Sequence, residues 1–133
     1  MKNPKWHRDE IILALDLYFR IEHGKIYARN PDVIELSRIL NLLPIHEERP
    51  DSVKFRNPNG VGLKLSNFLA IDPRYEGKGM GSHSKLDKEV FEEFKNDRLA
   101  LVRIANSIVQ ISKDKTLGNI LHKIEDDEDA SLK

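Results

Sequence analysis

The spacing of apolar residues along the chain predicts helices. After Asp9, isoleucine, leucine and aromatic residues recur every three or four positions, a period typical of an amphipathic helix. Trp6 precedes this first helix and is expected to pack beneath it. Gly24 follows the apolar pattern and supplies the stop signal of the helix.

Two asparagine–proline pairs predict where the next two helices begin. Asn30 and Asn57 are suited to accept hydrogen bonds from the free N–H groups of a first turn, and the proline after each fits the first helical position. Pro44 is expected to end the second helix, and Asp72-Pro73 the third. Residues 45–55 are interpreted as an irregular polar connection.

A glycine-rich loop is predicted between helices 3 and 4. Residues 74–85 contain three glycines at alternate positions and are too flexible for a helix or a regular strand. Asp87 is the predicted cap of the fourth helix, and Asn96-Asp97 is expected to kink or restart it.

The remaining pattern sets the fold class. Residues 99–111 are the most apolar stretch of the chain, which we interpret as the central core helix, and a short last helix is predicted over residues 116–124. We therefore expect an all-α, single compact domain of five or six helices over residues 1–124. Residues 125–133 are expected to form an acidic tail or linker.

Composition supports a globular domain and excludes some chemistry. The chain has 133 residues, of which 39% are hydrophobic and 33% charged, as expected for one domain. The absence of cysteine excludes disulfides, thiolate zinc sites and cysteine nucleophiles. Neither a signal peptide nor an apolar run of membrane-spanning length is present, so we expect a soluble cytoplasmic protein.

The charge distribution is more informative than its sum of zero. Residues 53–86 carry a net charge of +4, from six basic and two acidic residues. These residues are Lys54, Arg56, Lys64, Arg74, Lys78 and Lys85 against Asp72 and Glu76. Residues 125–129 are five consecutive acids, typical of a solvated segment, and setting them aside moves the remainder from 0 to +5.

The third helix is the first candidate for DNA contact. Gly60 and Gly62 each cost about 1 kcal/mol relative to alanine, a cost explained by close approach of either DNA or a packed helix. Lys64 and Asn67 lie one turn apart and form a polar face suited to a groove. The alternative is an ordinary surface helix with a capped start.

The glycine-rich loop is the second candidate. Its backbone amides, hydroxyls and amines are groups that contact a phosphate chain, although a flexible connector has the same composition. Together the two segments give the candidate DNA contacts Arg56, Asn57, Asn59, Lys64, Asn67, Lys78, Ser82, Ser84 and Lys85. The four cations among them would neutralise phosphates, which predicts a slope of about −3.6 for log affinity against log salt. Asn59 and Asn67 are the candidates for base edges.

A metal-dependent nuclease site is the weaker alternative. Pro50-Asp51 with Glu76 or Glu93 formally spells such a motif, which needs carboxylates that converge on a divalent metal. Asp51 lies in an irregular connection, Glu76 in a loop and Glu93 on a predicted helix. The five histidines show no zinc-like spacing. We therefore expect no catalytic residue, no metal and no cofactor in this chain.

Several blocks of the sequence resemble one family. These are Trp6–Glu10 with the following ILALDLYF, the block FRNPNGVGLKLSNFLAIDP and the GKGMG loop. Over residues 5–110 the chain resembles the region ahead of the catalytic domain in bacterial McrA-like HNH restriction endonucleases. The resemblance implies a module that recognises double-stranded DNA, often methylated or phosphorothioate-bearing, while a separate HNH domain cuts.

The chain itself contains no HNH signature, so the resemblance implies a recognition module without the nuclease site. In this interpretation the acidic tail is where a linker to the catalytic part begins. The alternative for the same family is a module for dimerisation or for docking to another domain, which predicts an exposed apolar patch.

Overall fold

The computed structural model describes residues 2–75 and 83–114, and all regular structure within these ranges is helical. The helices are α1 (Arg8–Arg20), α2 (Pro31–Leu42), α3 (Pro58–Ile71), α4 (Lys85–Phe94) and α5 (residues 98–114), with short 3-10 turns at His23–Lys25 and Pro73–Tyr75. They pack as one domain, which confirms the predicted all-α single-domain fold. The predicted helix over 116–124, the acidic tail and most of the glycine-rich loop lie outside the described residues.

Both asparagine–proline starts are confirmed. The side chain of Asn30 accepts a hydrogen bond from the N–H of Asp32 at 2.8 Å. In the same way, Asn57 accepts from the N–H of Gly60 at 2.8 Å. Each cap satisfies an N–H group that has no partner inside its helix, and this explains why α2 and α3 begin where they do.

The predicted start of α4 is wrong by three residues. Ser84, not Asp87, is the cap: its Oγ accepts from the N–H of Asp87 at 3.0 Å. Asp87 is the third residue of the helix, and its carboxylate accepts from the N–H of Ser84 at 3.0 Å. This reciprocal pair satisfies two backbone donors, whereas a cap at Asp87 would satisfy one.

The core is built around α1, which contacts α2, α3 and α4. Eight of its 13 residues are buried, among them Ile11, Ile12 and Leu15. A helix enclosed on several sides buries more than one apolar stripe. Glu10 is buried together with these apolar residues, so α1 brings a carboxylate into the domain.

The prediction that residues 99–111 form the central core helix is wrong. The corresponding helix, α5, buries Leu101, Ala105 and Ile108 along one stripe. Four other apolar residues face solvent, with Leu99 79% and Val102 42% exposed, while Ala100 and Val109 are half-buried against the core. The sequence shows that these residues are apolar, but it does not show that the described part of the domain covers only one side of the helix.

Within residues 2–75 and 83–114, every helix is too short or too polar to cross a lipid bilayer.

Candidate nucleic-acid interface

Arg56, one of the predicted phosphate contacts, lies inside the domain with 5% of its surface exposed. Its Nε donates to Oε2 of Glu10 at 2.8 Å, and its Nη2 donates to Oε1 at 3.1 Å. The guanidinium also lies over the rings of Phe55 and Trp6, 4.5 and 4.8 Å from their centroids. Because these groups surround the side chain, Arg56 does not contact phosphate as predicted.

Glu10 is the ion-pair partner of Arg56 and is itself only 1% exposed. His46 places Nε2 2.7 Å from Oε1 of Glu10, and the backbone N–H of His7 donates to the same oxygen at 2.9 Å. Burial alone would raise the pKa of Glu10. The hydrogen bonds from Arg56, His7 and His46 outweigh burial and hold this pKa below its ordinary value.

Lys64 is the second predicted phosphate contact that the domain encloses. It is 8% exposed, and its Nζ donates to both carboxylate oxygens of Asp87, at 2.9 and 3.1 Å. Asp87 has no exposed surface. The pair joins α3 to α4, so the charge of Lys64 is neutralised inside the protein, and its prediction as a phosphate contact is wrong.

Arg74 is the third member of the basic segment with a buried carboxylate partner. Its guanidinium donates to Asp72 at 2.8 Å, and the hydroxyl of Tyr18 donates to the same carboxylate at 2.8 Å. Burial raises the pKa of Tyr18, and the neighbouring Asp72 raises it further. Burial would also raise the pKa of Asp72, but the hydrogen bonds from Arg74 and Tyr18 lower it overall.

Three of the predicted contacts are accessible and do not serve as helix caps. The side chain of Lys85 is 92% exposed and lies 4.0 Å from Glu89, a long ion pair in solvent. Asn59 is exposed and Asn67 is half-buried. The predicted contacts Lys78 and Ser82 lie outside the described residues.

Two further predicted contacts serve as helix caps. The Oδ1 of Asn57 accepts a hydrogen bond from the N–H of Gly60, and the Oγ of Ser84 accepts one from the N–H of Asp87. The hydroxyl of Ser84 accepts in this bond, so its own O–H stays free to donate toward solvent. Capping of α3 therefore explains the presence of Asn57 in the sequence. Ser84 caps α4 and also has an exposed O–H group that can donate a hydrogen bond.

The solvent face of α3 carries no charge. Its members recur at helical spacing on the side opposite the buried stripe and are Asn59, Gly62, Leu63, Ser66 and Asn67. Leu63 is 53% exposed. A Cβ added at Gly62 would meet nothing within 4 Å in the described part of the domain, so no helix packing there explains this glycine.

In contrast, the solvent faces of α2 and α4 carry charged residues. The exposed residues of α4 are all charged: Lys85, Lys88, Glu89, Glu92 and Glu93. The exposed face of α2 includes Asp32, Glu35 and Arg38. In a chain with 33% charged residues, an uncharged face on a 14-residue helix is unusual. Depletion of charge is typical of the centre of a protein–protein interface, whereas a DNA-binding surface also needs positive charge beside it.

A cleft of about 470 Å³ adjoins this helix. It is lined by Lys5, Trp6, Lys64, Ser84, Lys85 and Leu86, and most of its wall is apolar. The Nζ of Lys64 lies 5.2 Å from the centroid of the Trp6 ring. Lys5 and Lys85 are exposed at the cleft, so it combines two solvent-facing amines with an indole wall.

Sequence reasoning missed Lys5 and Trp6 as candidate binding residues. The signal was present, because the only tryptophan of the chain follows Lys5 directly and Lys2 and Arg8 are close by. Aromatic residues among cations are a common feature of nucleic-acid surfaces. Arg8 is not available, because it forms an ion pair with Glu93 on α4.

The residues of the alternative nuclease motif do not form a metal centre in the described part of the chain. No group of three or more histidine or carboxylate side chains converges within residues 2–75 and 83–114, which include Asp51 and Glu93. Glu76 lies outside these ranges. Glu93 is bound by Arg8, and this hydrogen-bonded pair lowers the pKa of Glu93.

We found no match to this chain among protein-family models, curated proteins or solved structures.

Proposed function

We propose that this domain binds double-stranded DNA through the solvent face of α3. The observation that carries the proposal is the uncharged, amide-bearing surface of this helix, with exposed lysines near it. Lys54 is exposed three residues before the cap of α3, and Lys85 and Lys5 are exposed at the cleft beside Lys64. A neutral reading face with flanking cations is the arrangement that base and phosphate contacts require.

The dimensions and side chains of α3 fit the major groove of B-form DNA, which admits one α-helix. Asn59 and Asn67 present amides that pair with adenine edges, and Leu63 offers an apolar surface to thymine methyl groups. Gly62 has no side chain, and a Cβ built there would meet nothing within 4 Å among the described residues, so the helix backbone can approach the groove closely.

Because Arg56 and Lys64 form buried ion pairs, other lysines are the expected phosphate contacts. Arg56 and Lys64 are replaced in this proposal by Lys5 and Lys54, while Lys85 is retained. Each lysine that neutralises a phosphate adds about −0.9 to the slope of log affinity against log salt. Lys85→Ala and Lys5→Ala are therefore each expected to make the slope shallower by about 0.9.

Fluorescence anisotropy of a labelled duplex over a salt series tests this proposal. Lys25→Ala is the matched control, because Lys25 is an exposed lysine beyond the opposite end of α1 from Lys5. Salt-sensitive binding that weakens in Lys85→Ala but not in Lys25→Ala supports the proposal. Equal effects of the two substitutions, or no binding at low salt, would refute it.

The proposal includes a biological setting. The domain acts as the recognition module of a modification-dependent, cytoplasmic HNH restriction endonuclease, and a nuclease domain outside this chain cuts the DNA. The resemblance over residues 5–110 supports this part. Comparing affinities for unmodified, methylated and phosphorothioate duplexes of one sequence tests it, since a modification-dependent module prefers one modified form.

Self-association through α5 is the second candidate function. Leu99 and Val102 lie on one flank of this helix and Ile104 and Ile111 on the other, each more than a third exposed. A surface with this many exposed apolar residues is typical of an interface. Sedimentation measurements test it: a dimer that Leu99→Lys converts to monomer supports this function, and a monomer at all concentrations rejects it.

A further inference from the structure

The cleft beside α3 contains polar donors that hydrogen bonds among the described residues leave available. Lys64 donates to both carboxylate oxygens of Asp87, so the donors available at the cleft come from its other residues. Ser84 accepts from Asp87, so its O–H proton is unused in that bond. The exposed amines of Lys5 and Lys85 add two cationic donors to the cleft, which favours an anion.

The charge balance of the cleft leaves a positive excess. Asp87 neutralises Lys64 at 2.9 Å, and the carboxylate nearest to Lys85 is 4.0 Å away in solvent. No ion pair of Lys5 is found with any residue of the described ranges. Among the described residues, no carboxylate lies closer than 4.0 Å to either exposed amine, and these two positive charges match a phosphate group.

The rest of the cleft is apolar, so an inorganic anion alone would leave it largely unfilled. The indole of Trp6 and the side chain of Leu86 form this part of the wall. A volume of about 470 Å³ lies within the range of small-molecule sites, about 300–1,000 Å³. A ligand that fills it combines a phosphate with a flat, weakly polar group.

We infer that the cleft binds a single unpaired nucleotide, with its phosphate held by Lys5 and Lys85 and its base against Trp6 and Leu86. The nucleotide comes either from DNA, as a base displaced from a duplex held on α3, or from a free mononucleotide. The first source rests on the proposed function. Lys64 connects the two surfaces, because it lines the cleft and lies three residues before Asn67 on α3.

Trp6 allows a direct test, since it is the only tryptophan of the chain and lines the cleft. The full chain is titrated with thymidine monophosphate, thymidine and inorganic phosphate while tryptophan fluorescence is recorded. We expect a saturable change with the monophosphate, and affinities at least about tenfold weaker for thymidine and for phosphate, because each makes only part of the contacts. Equal responses to phosphate and the monophosphate would overturn the inference.

Two substitutions separate the phosphate from the base. Lys85→Ala is expected to weaken binding of the monophosphate about tenfold, which is the contribution of one charge-assisted hydrogen bond. The same substitution is expected to leave binding of thymidine unchanged. Leu86→Ala is expected to weaken the binding of both the monophosphate and thymidine. Lys25→Ala, in the 3-10 turn that follows α1, is expected to change the binding of neither ligand. An effect of Lys25→Ala as large as that of Lys85→Ala would overturn the inference.

A duplex with one unpaired thymidine and a fully paired duplex distinguish the two sources and separate this inference from the proposed function. A stronger fluorescence change with the duplex that contains an unpaired thymidine indicates that the cleft takes its nucleotide from DNA. A response to monophosphate without any duplex binding supports the cleft and refutes the function of α3. Duplex binding without any response to nucleotides or to the unpaired base refutes the cleft alone.

Discussion

The guanidinium of Arg56 and the carboxylate of Glu10 lie 2.8 Å apart inside the domain, although 46 residues separate them in the sequence. The pair holds the segment before α3 against the beginning of α1. Arg56 also has a φ of 46°, in the left-handed region that side chains rarely adopt. The ion pair therefore stabilises the segment that orients the start of α3.

Removal of the carboxylate is expected to destabilise the domain strongly. Glu10→Ala leaves the guanidinium of Arg56 buried without a counter-charge, which costs about 3–5 kcal/mol of unfolding free energy. Chemical denaturation measures this loss. Glu35→Ala is the control, because its ion pair with Arg38 is exposed and is expected to contribute less than about 1 kcal/mol. Similar losses in the two variants would contradict the assignment of Glu10 to a buried pair.

Lys64 is expected to affect stability and not phosphate binding. Lys64→Met removes the partner of the fully buried Asp87 and is expected to cost about 3–5 kcal/mol. Lys85→Met, on an exposed neighbour in the cleft, is expected to change stability by less than about 0.5 kcal/mol. Thermal and chemical denaturation of both variants check this difference. A Lys64→Met protein as stable as the parent would show that the pair with Asp87 is not formed.

Stability is expected to fall in acid, because the pKa values of Glu10 and Asp72 are lowered on folding. The unfolded chain then binds protons at a higher pH than the folded chain. The contribution of each carboxylate is complete above its ordinary pKa, 4.5 for Glu10 and 3.8 for Asp72, and is lost as the pH falls through the folded value. Asp16 opposes this trend, since burial raises its pKa.

Denaturation between pH 7 and pH 2 measures this dependence. Asp72→Asn is expected to flatten the acid limb of the stability curve, because asparagine does not titrate. The result that would contradict the prediction is an acid limb of unchanged steepness in this variant.

Gly62→Ala is expected to stabilise the domain by about 0.5–1 kcal/mol, since alanine favours the helix and the new Cβ meets no described atom within 4 Å. At Gly60 the same change is expected to gain less, because its Cβ would lie 3.2 Å from Oδ1 of the cap Asn57. Melting temperatures of the two variants compare the effects. Greater stabilisation by Gly60→Ala would contradict the described surroundings of the two glycines.

The fold was predictable where its determinants are local. The caps Asn30 and Asn57 act within three residues, so the sequence identified them. The start of α4 was mispredicted because Ser84 and Asp87 are both good caps, and only their reciprocal hydrogen bonds distinguish their roles.

The candidate site was less predictable because its geometry depends on distant residues. The sequence showed that Arg56 and Lys64 are cations, but not that Glu10 and Asp87, 46 and 23 residues away, would neutralise them. Asn59, Asn67 and Lys85 keep the accessibility that the DNA-binding hypothesis requires of them. Whether they bind DNA stays a prediction.

The affinity of the Gly62→Gln variant for a labelled duplex tests whether the solvent face of α3 binds DNA. Gly62 lies in the middle of the solvent face of α3, so a neutral, bulky side chain there is expected to block approach to DNA without unfolding the domain. Ser107→Gln, an exposed change on α5, is the control. We expect anisotropy at low salt to show binding by the parent and by Ser107→Gln, and at least about tenfold weaker binding by Gly62→Gln. Equal affinity of all three proteins for the duplex would contradict this prediction.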